Sequence, residues 1–200
     1  MFDLGGVILD INRDLCVKNL EALGLRRAGE MLDLYCQSGN FLALEKGTMT
    51  AGCFFDDLRS QTDRPVSDAQ ITDALCSFIC ALPAHRLDSL TRLRKEGKRL
   101  YVLSNTNPIM YHSVIDRLFR QRGRSIRDYF DGEILSFQEK SCKPSAQIFN
   151  ILIERYKLNG SSTLFLDDSE ANCEAARACG LDALLVPEGA EFIDILNNLK

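Results

Sequence analysis

The chain has 200 residues, of which 46% are hydrophobic and 26% are charged, and its net charge is −4. These proportions are typical of a folded globular protein and exclude a disordered chain, and the length allows one or two domains. The weak negative charge is spread along the sequence, so we expect neither nucleic acid nor an anionic membrane as a partner. We interpret the basic stretch at residues 117–127 as a solvated helix end.

The hydropathy of the chain and the spacing of its cysteines indicate its cellular location and its redox chemistry. No apolar run approaches the length of a transmembrane helix, and the N-terminus lacks a secretory signal, so we expect a cytoplasmic protein. The eight cysteines match no spacing typical of zinc sites or disulfide frameworks, and the chain has two histidines. This pattern favours buried free thiols over a metal or redox role.

The first apolar run ends almost at once, at Asp3, and a Gly5-Gly6 turn follows. Two residues precede Asp3, whereas a strand normally has about five. We therefore expect either an unusually short first strand or a chain that lacks several native residues. From residue 12 to 82, apolar residues recur at helical spacing with no strand signal between them. We predict three or four short amphipathic helices, one of them capped by Ser67, and hence a helical bundle at residues 12–83.

The sequence pattern changes after Pro83, where short apolar runs alternate with helical stretches. This alternation is typical of a doubly wound α/β domain with a mainly parallel sheet. The predicted fold is a Rossmann-like core formed by residues 1–11 and 84–200, with the helical bundle inserted after the first strand. The predicted strands after the bundle lie at about residues 100–103, 132–135, 164–166 and 183–186.

Polar side chains follow three of the predicted strands. Asp3 ends the first strand, Ser104 follows the second, and the pair Asp167-Asp168 follows a later one. In an open parallel sheet, ligands bind at the carboxyl ends of the strands, so we expect these side chains to meet in one crevice. Their convergence favours an enzyme.

Each of these residues has a structural interpretation beside the chemical one. Asp3 can cap the glycine turn, or it can act as a nucleophile that forms a covalent intermediate. Asp167 and Asp168 repel each other in a partly buried crevice unless a cation, a proton or solvent intervenes, and Mg²⁺ prefers hard oxygen ligands of this kind. Residues 104–108 can be a polar turn before a helix, or a phosphate site at its N-terminus. Lys143 adds a fixed cation before the next helix.

Taken in order, these motifs resemble those of the haloacid dehalogenase-like (HAD) hydrolase superfamily. The resemblance spans essentially the whole chain, and the helical insert resembles the small helical cap of that superfamily. The first two motifs are most similar to those of the subgroup that contains bacterial α-D-glucose-1-phosphate phosphatase. The residues that carry the resemblance are Phe2-Asp3-Leu4-Gly5-Gly6-Val7, Leu103-Ser104-Asn105-Thr106-Asn107, Lys143-Pro144 and Phe165-Leu166-Asp167-Asp168.

The resemblance implies a magnesium-dependent phosphatase that acts on a small phosphorylated metabolite, such as a sugar phosphate, through an aspartyl-phosphate intermediate. It implies Asp3 as the nucleophile and as a ligand of Mg²⁺. The backbone carbonyl of Gly5 and the carboxylate of Asp168 would complete the metal site. Asp167 would orient a water on the metal.

On the phosphate side, the resemblance implies that Ser104 and Asn105 hold the transferring phosphoryl oxygens. Lys143 would neutralise charge on the nucleophile and the phosphoryl group. The cap would select the substrate by covering the crevice. Within it, we interpret residues 45–47 as an exposed helix end, and Asn107 beside the phosphate motif is a candidate substrate contact.

Gly5 departs from the pattern of the superfamily. Most of its phosphatases carry a second aspartate two residues after the nucleophile, where it acts as general acid and base, and this chain has glycine there. A positioned acid contributes roughly 10²- to 10⁴-fold to the rate. We therefore expect a preference for good leaving groups, as in sugar 1-phosphates or acyl phosphates, over primary-alcohol phosphates.

Three alternatives stand beside the phosphatase. A 2-haloacid dehalogenase needs no general acid, but it also needs no metal, and the pair Asp167-Asp168 favours one. A phosphate-binding or regulatory protein that has lost turnover is the second alternative. A receiver-like signalling domain is the third, and the long helical insert and the late position of the acidic pair argue against it.

Overall fold

The structure is a computed structural model, and it describes residues 1–35 and 37–199. The strands are β1 (Asp10–Ile11), β2 (Ile79–Ala81), β3 (Tyr101–Ser104), β4 (Gly132–Leu135), β5 (Leu164–Asp167) and β6 (Asp182–Leu185). The helices before β3 are α1 (Arg13–Ala22), α2 (Ala28–Met31), α3 (Gly39–Glu45), α4 (Ala51–Ser60), α5 (Asp68–Cys76) and α6 (Ala84–Lys95). The helices after β3 are α7 (Pro108–Met110), α8 (Asp116–Phe119), α9 (Ile126–Tyr129), α10 (Ser136–Glu139), α11 (Ala146–Tyr156), α12 (Glu170–Ala178) and α13 (Phe192–Asn197).

Short irregular turns complete the second half. A π-helical turn at Tyr111–Ile115 joins α7 to α8, and 3₁₀ turns lie at Arg120–Arg122 and Gly160–Ser162. Within the described ranges, none of the helices combines the length and the apolar character needed to cross a membrane.

The N-terminal residues occupy the centre of a parallel sheet. Phe2 bridges to Val102 on one side and to Leu166 on the other, both in parallel orientation. The backbone N–H of Phe2 donates to the carbonyl of Tyr101 at 2.9 Å, and that of Asp3 donates to the carbonyl of Leu166 at 2.9 Å. Because β3 pairs with β4 and β5 pairs with β6, the order across the sheet is β4, β3, residues 1–3, β5, β6. Asp3 is therefore central, and the predicted parallel sheet is confirmed.

Side chains that alternate along the strands are buried on both faces of this sheet. Tyr101, Leu103 and Phe165 pack in one apolar cluster with residues of α11 and α12. Phe2, Val102 and Leu166 pack in a second cluster with residues of α6, α9 and α13. Successive side chains of a strand point to opposite faces, so helices on both sides of the sheet are what these apolar runs require. This arrangement is the predicted doubly wound fold.

Among the described residues between β1 and α6 are five helices and one strand, β2. The expectation that residues 12–82 hold no strand is therefore wrong. Residues of β2 pair antiparallel with β1, Asp10 opposite Ala81 and Ile11 opposite Ile79, with an irregularity in the register. A strand of three residues is too short to show a period, and its partner lies far away in sequence. This ribbon carries the chain into and out of the helical segment, whose boundaries at residues 12 and 83 stay a prediction.

The helices of the inserted segment begin at capping side chains, as their sequences indicate. Ser67 accepts a hydrogen bond from the backbone N–H of Gln70, whose side chain reaches back to the N–H of Ser67. Thr50 caps α4 through the N–H of Cys53. Reciprocal capping of this kind satisfies N–H groups that lack a partner within the helix. The predicted cap at Ser67 is confirmed.

One buried arginine fastens the connection between the inserted segment and the sheet. The guanidinium of Arg86, on α6, donates to the carboxylates of Asp10 and Glu191 and to the carbonyl of Ile8, at 2.9 to 3.2 Å. Planar guanidinium groups suit such multiple contacts. The chain that links Asp3 to the helical segment is thereby held against the C-terminal part.

Candidate active site

Asp3 stands where the central strand stops and a tight turn begins. Its carboxylate Oδ1 accepts a hydrogen bond from the backbone N–H of Leu4 at 2.7 Å. The turn closes through bonds from the N–H groups of Ile8 and Leu9 to the carbonyl of Leu4. Asp3 therefore caps the turn and lines a cavity at the same time, and its role as a nucleophile stays a prediction.

Lys143 links two of the three carboxylates of the site. Its Nζ lies 2.9 Å from Asp3 Oδ1 and 2.6 Å from Asp167 Oδ2, and the residue is only 3% exposed. Burial by itself would lower the pKa of the ammonium group, but the charges of Asp167 and Asp3 outweigh it and raise the pKa above its usual value. Lys143 is thus a permanent, fixed cation beside Asp3.

Asp167 is fully buried and makes all its hydrogen bonds within the protein. Its Oδ2 accepts from Lys143, and its Oδ1 accepts from the backbone N–H of Ser169 and from the amide of Asn172, each at 2.9 Å. Asn172 is not among the residues predicted from the sequence, because a single asparagine in a helix carries no recognisable signal. Asp167 therefore positions Lys143 and the start of α12.

Asp168 faces the cavity next to Asp3. Oxygen atoms of Asp3, Asp167 and Asp168 all lie within 4.8 Å of one another. Burial, followed by the charges of Asp3 and Asp167, raises the pKa of Asp168 to about 7. Burial also raises the pKa of Asp3 to about 6, although Lys143 opposes the shift. The excess negative charge shown by these shifts is what a bound cation would neutralise.

The glycine turn leaves room for this carboxylate cluster. Gly6 has a φ of +70°, and a Cβ built on it would collide with the carboxylate of Asp168. Gly5 also lines the cavity, but a Cβ there would meet only the Ile11 side chain, at an ordinary distance of 3.5 Å. A side chain at Gly6 would therefore displace the Asp168 carboxylate, whereas Gly5 leaves a position beside Asp3 without a side chain.

The loop after β3 is tied to the lysine loop by a reciprocal amide pair. Asn105 donates from Nδ2 to the carbonyl of Lys143 at 3.0 Å and accepts at Oδ1 from the N–H of Lys143 at 2.8 Å. Ser104, 1% exposed at the end of β3, lines the cavity beside Asp3. This pair fixes the Asn105 side chain against the lysine loop, and Asn105 also lines the cavity.

The inserted segment forms the other side of the cavity, which we call the helical wall. Its members are Leu34, Tyr35, Gln37, Phe41 and Glu45. The space between this wall and the sheet measures about 790 Å³, including its opening to solvent.

The interpretation of residues 45–47 as an exposed helix end is wrong for Glu45, which is 8% exposed. Its backbone carbonyl accepts a hydrogen bond from the buried hydroxyl of Ser136, which also accepts from the N–H of Thr106. Gly47, with a φ of +62°, lies against the backbone of Phe137 so closely that a Cβ would clash. The residues that make these contacts are far apart in sequence. The sequence of the turn alone therefore predicted that it is exposed to solvent.

Two further predictions from the sequence concern Asn107 and the cysteines. Asn107 lines the cavity, and its side chain caps α7 by accepting from the N–H of Met110 at 3.0 Å. Seven cysteines carry free thiols in the described ranges, and the eighth, Cys36, lies outside the described residues. Burial raises the pKa of the Cys16 and Cys142 thiols to about 12, which suits inert side chains better than reactive ones.

Comparison with known proteins gives the same result at the level of family and fold. The family described as haloacid dehalogenase-like hydrolase matches residues 1–180. The chain is 34% identical over 192 residues to a D-ribitol-5-phosphate phosphatase of Bacteroides thetaiotaomicron, covering 96% of this chain and 93% of that protein.

Two groups of solved structures are similar over nearly their whole length. A wild-type HAD family enzyme of Bacteroides thetaiotaomicron, in complex with magnesium and inorganic phosphate, is 35% identical with a TM-score of 0.90, covering 97% of this chain and 96% of that one. A predicted HAD-like hydrolase of Porphyromonas gingivalis is 32% identical with a TM-score of 0.90, covering 99% and 95%.

Proposed function

Because the chain belongs to the haloacid dehalogenase-like hydrolase family, we propose that it is a magnesium-dependent phosphatase of a small phosphorylated polyol or sugar. The observation that carries the proposal is the position of Lys143 between Asp3 and Asp167, with Asp168 on the open side. Phosphoryl transfer depends on positioning and on charge neutralisation, and this cluster offers a carboxylate nucleophile together with a fixed cation.

Mg²⁺ suits the oxygen ligands of this site. Asp3 and Asp168 present carboxylates to the same cavity, and the pKa of Asp168 is raised first by burial and then by the charge of Asp3. Their side chains, with the backbone carbonyl of Gly5, would hold the ion. When bound, Mg²⁺ would neutralise negative charge on the phosphoryl oxygens.

The protein's own residues divide the remaining work. Asp3 attacks phosphorus and becomes the aspartyl phosphate, which water then cleaves. Ser104 and the backbone of Asn105 bind phosphoryl oxygens near the start of α7. Lys143 stabilises the charge on Asp3 and on the transferring group, and Asp167 keeps the lysine in place rather than contacting the cavity itself.

The substrate class is suggested by the named activity of the relative and by the cavity. D-ribitol 5-phosphate is a primary-alcohol phosphate, and an activity of this kind here runs against the preference for good leaving groups inferred from Gly5. The helical wall, part of the proposed cap at residues 12–83, lies across the cavity from the phosphate side, where we expect it to limit the size of the leaving group. We therefore place polyol and sugar 5-phosphates ahead of anomeric and acyl phosphates.

The test is phosphate release from D-ribitol 5-phosphate, pentose 5-phosphates, a sugar 1-phosphate and acetyl phosphate, with and without Mg²⁺. Asp3→Asn keeps the size of the side chain and removes the nucleophile, so we expect a loss of at least about 10⁴-fold. Glu30→Gln, on the outer surface of α2 and paired with Arg27, serves as a control that keeps activity.

Other outcomes of the same assay would contradict the proposal in distinct ways. Phosphate binding without release from any substrate would identify a binding or regulatory protein. Metal-independent halide release from a 2-haloacid, with no phosphate release, would identify a dehalogenase. Activity that persists in Asp3→Asn would remove Asp3 from the mechanism.

A further inference from the structure

The position next to the nucleophile that could carry a general acid is empty in this chain. Gly5 has no side chain, and only the Ile11 side chain lies within 4 Å of where a Cβ would be. A primary-alcohol leaving group departs as an alkoxide unless it receives a proton, and a positioned acid contributes about 10²- to 10⁴-fold. Some other group in the cavity must supply that proton if the proposed substrate class is right.

Few of the side chains around the cavity can fill this role. The titratable side chains among the described residues that line it are Asp3, Tyr35, Glu45, Lys143 and Asp168. Asp3 is the nucleophile, Lys143 is held by two carboxylates, and Asp168 belongs to the metal site. Tyr35 is 47% exposed at the mouth. Glu45 is the remaining carboxyl group, and it lies in the helical wall, on the leaving-group side.

Glu45 is held at this position by contacts with the core. It ends α3, and the buried hydroxyl of Ser136 donates to its backbone carbonyl at 2.8 Å. The same hydroxyl accepts from the N–H of Thr106, in the loop that follows Ser104, at 2.9 Å. One side chain therefore fixes Glu45 relative to the phosphate loop, as a group that acts on the substrate requires.

The surroundings of the Glu45 carboxyl keep it available for proton transfer. It is 8% exposed and forms no ion pair with any residue that the structure describes. Burial raises its pKa to about 8, with Lys143 opposing the shift and Asp3 adding to it. A buried carboxyl group of this kind carries a proton at neutral pH, as general acids at other active sites do.

We propose that Glu45 is the general acid and base of the reaction and replaces the aspartate that Gly5 lacks. As Asp3 bonds to phosphorus, the bond from phosphorus to the ester oxygen breaks, and that oxygen takes the proton of Glu45 and leaves as the alcohol. The Glu45 carboxylate then accepts a proton from the water that attacks the aspartyl phosphate. This step releases inorganic phosphate, restores the Asp3 carboxylate and returns the proton to Glu45. The inference rests on the proposed phosphatase function.

The test compares Glu45→Gln with the unchanged chain on phenyl phosphates of similar size whose leaving groups differ in basicity, and on D-ribitol 5-phosphate. A 4-nitrophenolate needs no proton to leave, so we expect kcat/KM for 4-nitrophenyl phosphate to change by less than about threefold. For 4-methoxyphenyl phosphate and the polyol phosphate we expect losses that grow with leaving-group basicity, reaching about 10²-fold or more. An unchanged kcat/KM for the nitrophenyl ester also shows that the variant is folded.

The outcomes separate the two proposals. An equal loss across the phenyl series would assign Glu45 a structural or binding role and overturn the inference, while the phosphatase would stand. No loss for the basic leaving groups would overturn it as well. No Mg²⁺-dependent turnover of any ester by the unchanged chain would overturn the proposed function itself. Glu30→Gln, the same change on the outer surface of the helical segment, should match the unchanged chain on every substrate.

Discussion

The two sides of the cavity differ in how their buried charged groups are paired. On the sheet side, two of the three carboxylates share an ion pair: Lys143 lies between Asp3 and Asp167, and Asp167 also accepts bonds from Ser169 and Asn172. On the helical side, the wall is mostly apolar, and its carboxyl group, Glu45, is buried without an ion pair in the described chain. Buried polar networks are rigid when every member has a partner, and costly when one is removed.

This difference suggests how the chain separates chemistry from selection. A change on the sheet side should disturb folding and phosphoryl transfer together, because the same bonds serve both. A change on the helical side should alter which leaving groups react and leave the fold nearly intact. Leu34 and Tyr35, 42% and 47% exposed at the mouth, extend this second wall toward solvent.

The largest effect is expected for Lys143→Met, which removes the cation and keeps much of the volume. Asp3 and Asp167 would then be buried close together with no opposite charge, and breaking a buried pair in this way costs about 3–5 kcal/mol. We expect that loss in the free energy of urea unfolding measured without Mg²⁺, together with loss of phosphate release. Lys95→Met, at an exposed position near the end of α6, should change stability by less than about 0.5 kcal/mol. A similar small change for Lys143→Met would mean that the lysine is solvated rather than buried.

The sheet side is also the side that the sequence predicted well. Asp3, Ser104 and the pair Asp167-Asp168 could be placed together because each follows a strand, and the carboxyl ends of parallel strands share one edge. Lys143 came from the family resemblance, since a Lys-Pro pair has no local signal of its own. The roles of these residues stay predictions until the variants are measured.

The helical side was predicted less well, and for identifiable reasons. The strand β2 is three residues long, and its partner precedes it by almost seventy positions, so no local period reveals it. The burial of Glu45 depends on Ser136, more than ninety residues later. Sequence patterns report local periodicity, whereas these features arise from contacts between distant segments.

A smaller expected effect is the pH dependence of stability that the carboxylate cluster causes when no metal is bound. The pKa values of Asp3 and Asp168 are raised in the folded chain from an ordinary 3.8 to about 6 and about 7. The folded state therefore binds more protons than the unfolded state between these values, and stability must fall as pH rises through that window. Mg²⁺ binds the deprotonated carboxylates, so it should stabilise the chain more at about pH 8 than at about pH 5.

Thermal unfolding with EDTA and with saturating Mg²⁺ checks both statements. At a concentration 100 times its dissociation constant, the ion should add about 2.7 kcal/mol at the higher pH. Asp168→Asn removes one of the carboxyl groups with a raised pKa and should reduce the pH dependence. Metal-free stability that rises between about pH 4 and pH 7 would contradict the raised pKa values.

The smallest effect separates the backbone role of a glycine from its role at the metal site. Gly6 and Gly97 both have positive φ, +70° and +80°, so an alanine at either position should cost about 1 kcal/mol of stability. Nothing lies within 4 Å of a Cβ at Gly97, whereas one at Gly6 meets the Asp168 carboxylate. Asp168 can rotate away, so we expect Gly6→Ala and Gly97→Ala to lose similar stability in EDTA. Only Gly6→Ala should weaken Mg²⁺ binding measured by calorimetry, by about 10- to 100-fold. Equal Mg²⁺ affinity in the two variants would show that Asp168 does not need the space beside Gly6 to act as a ligand.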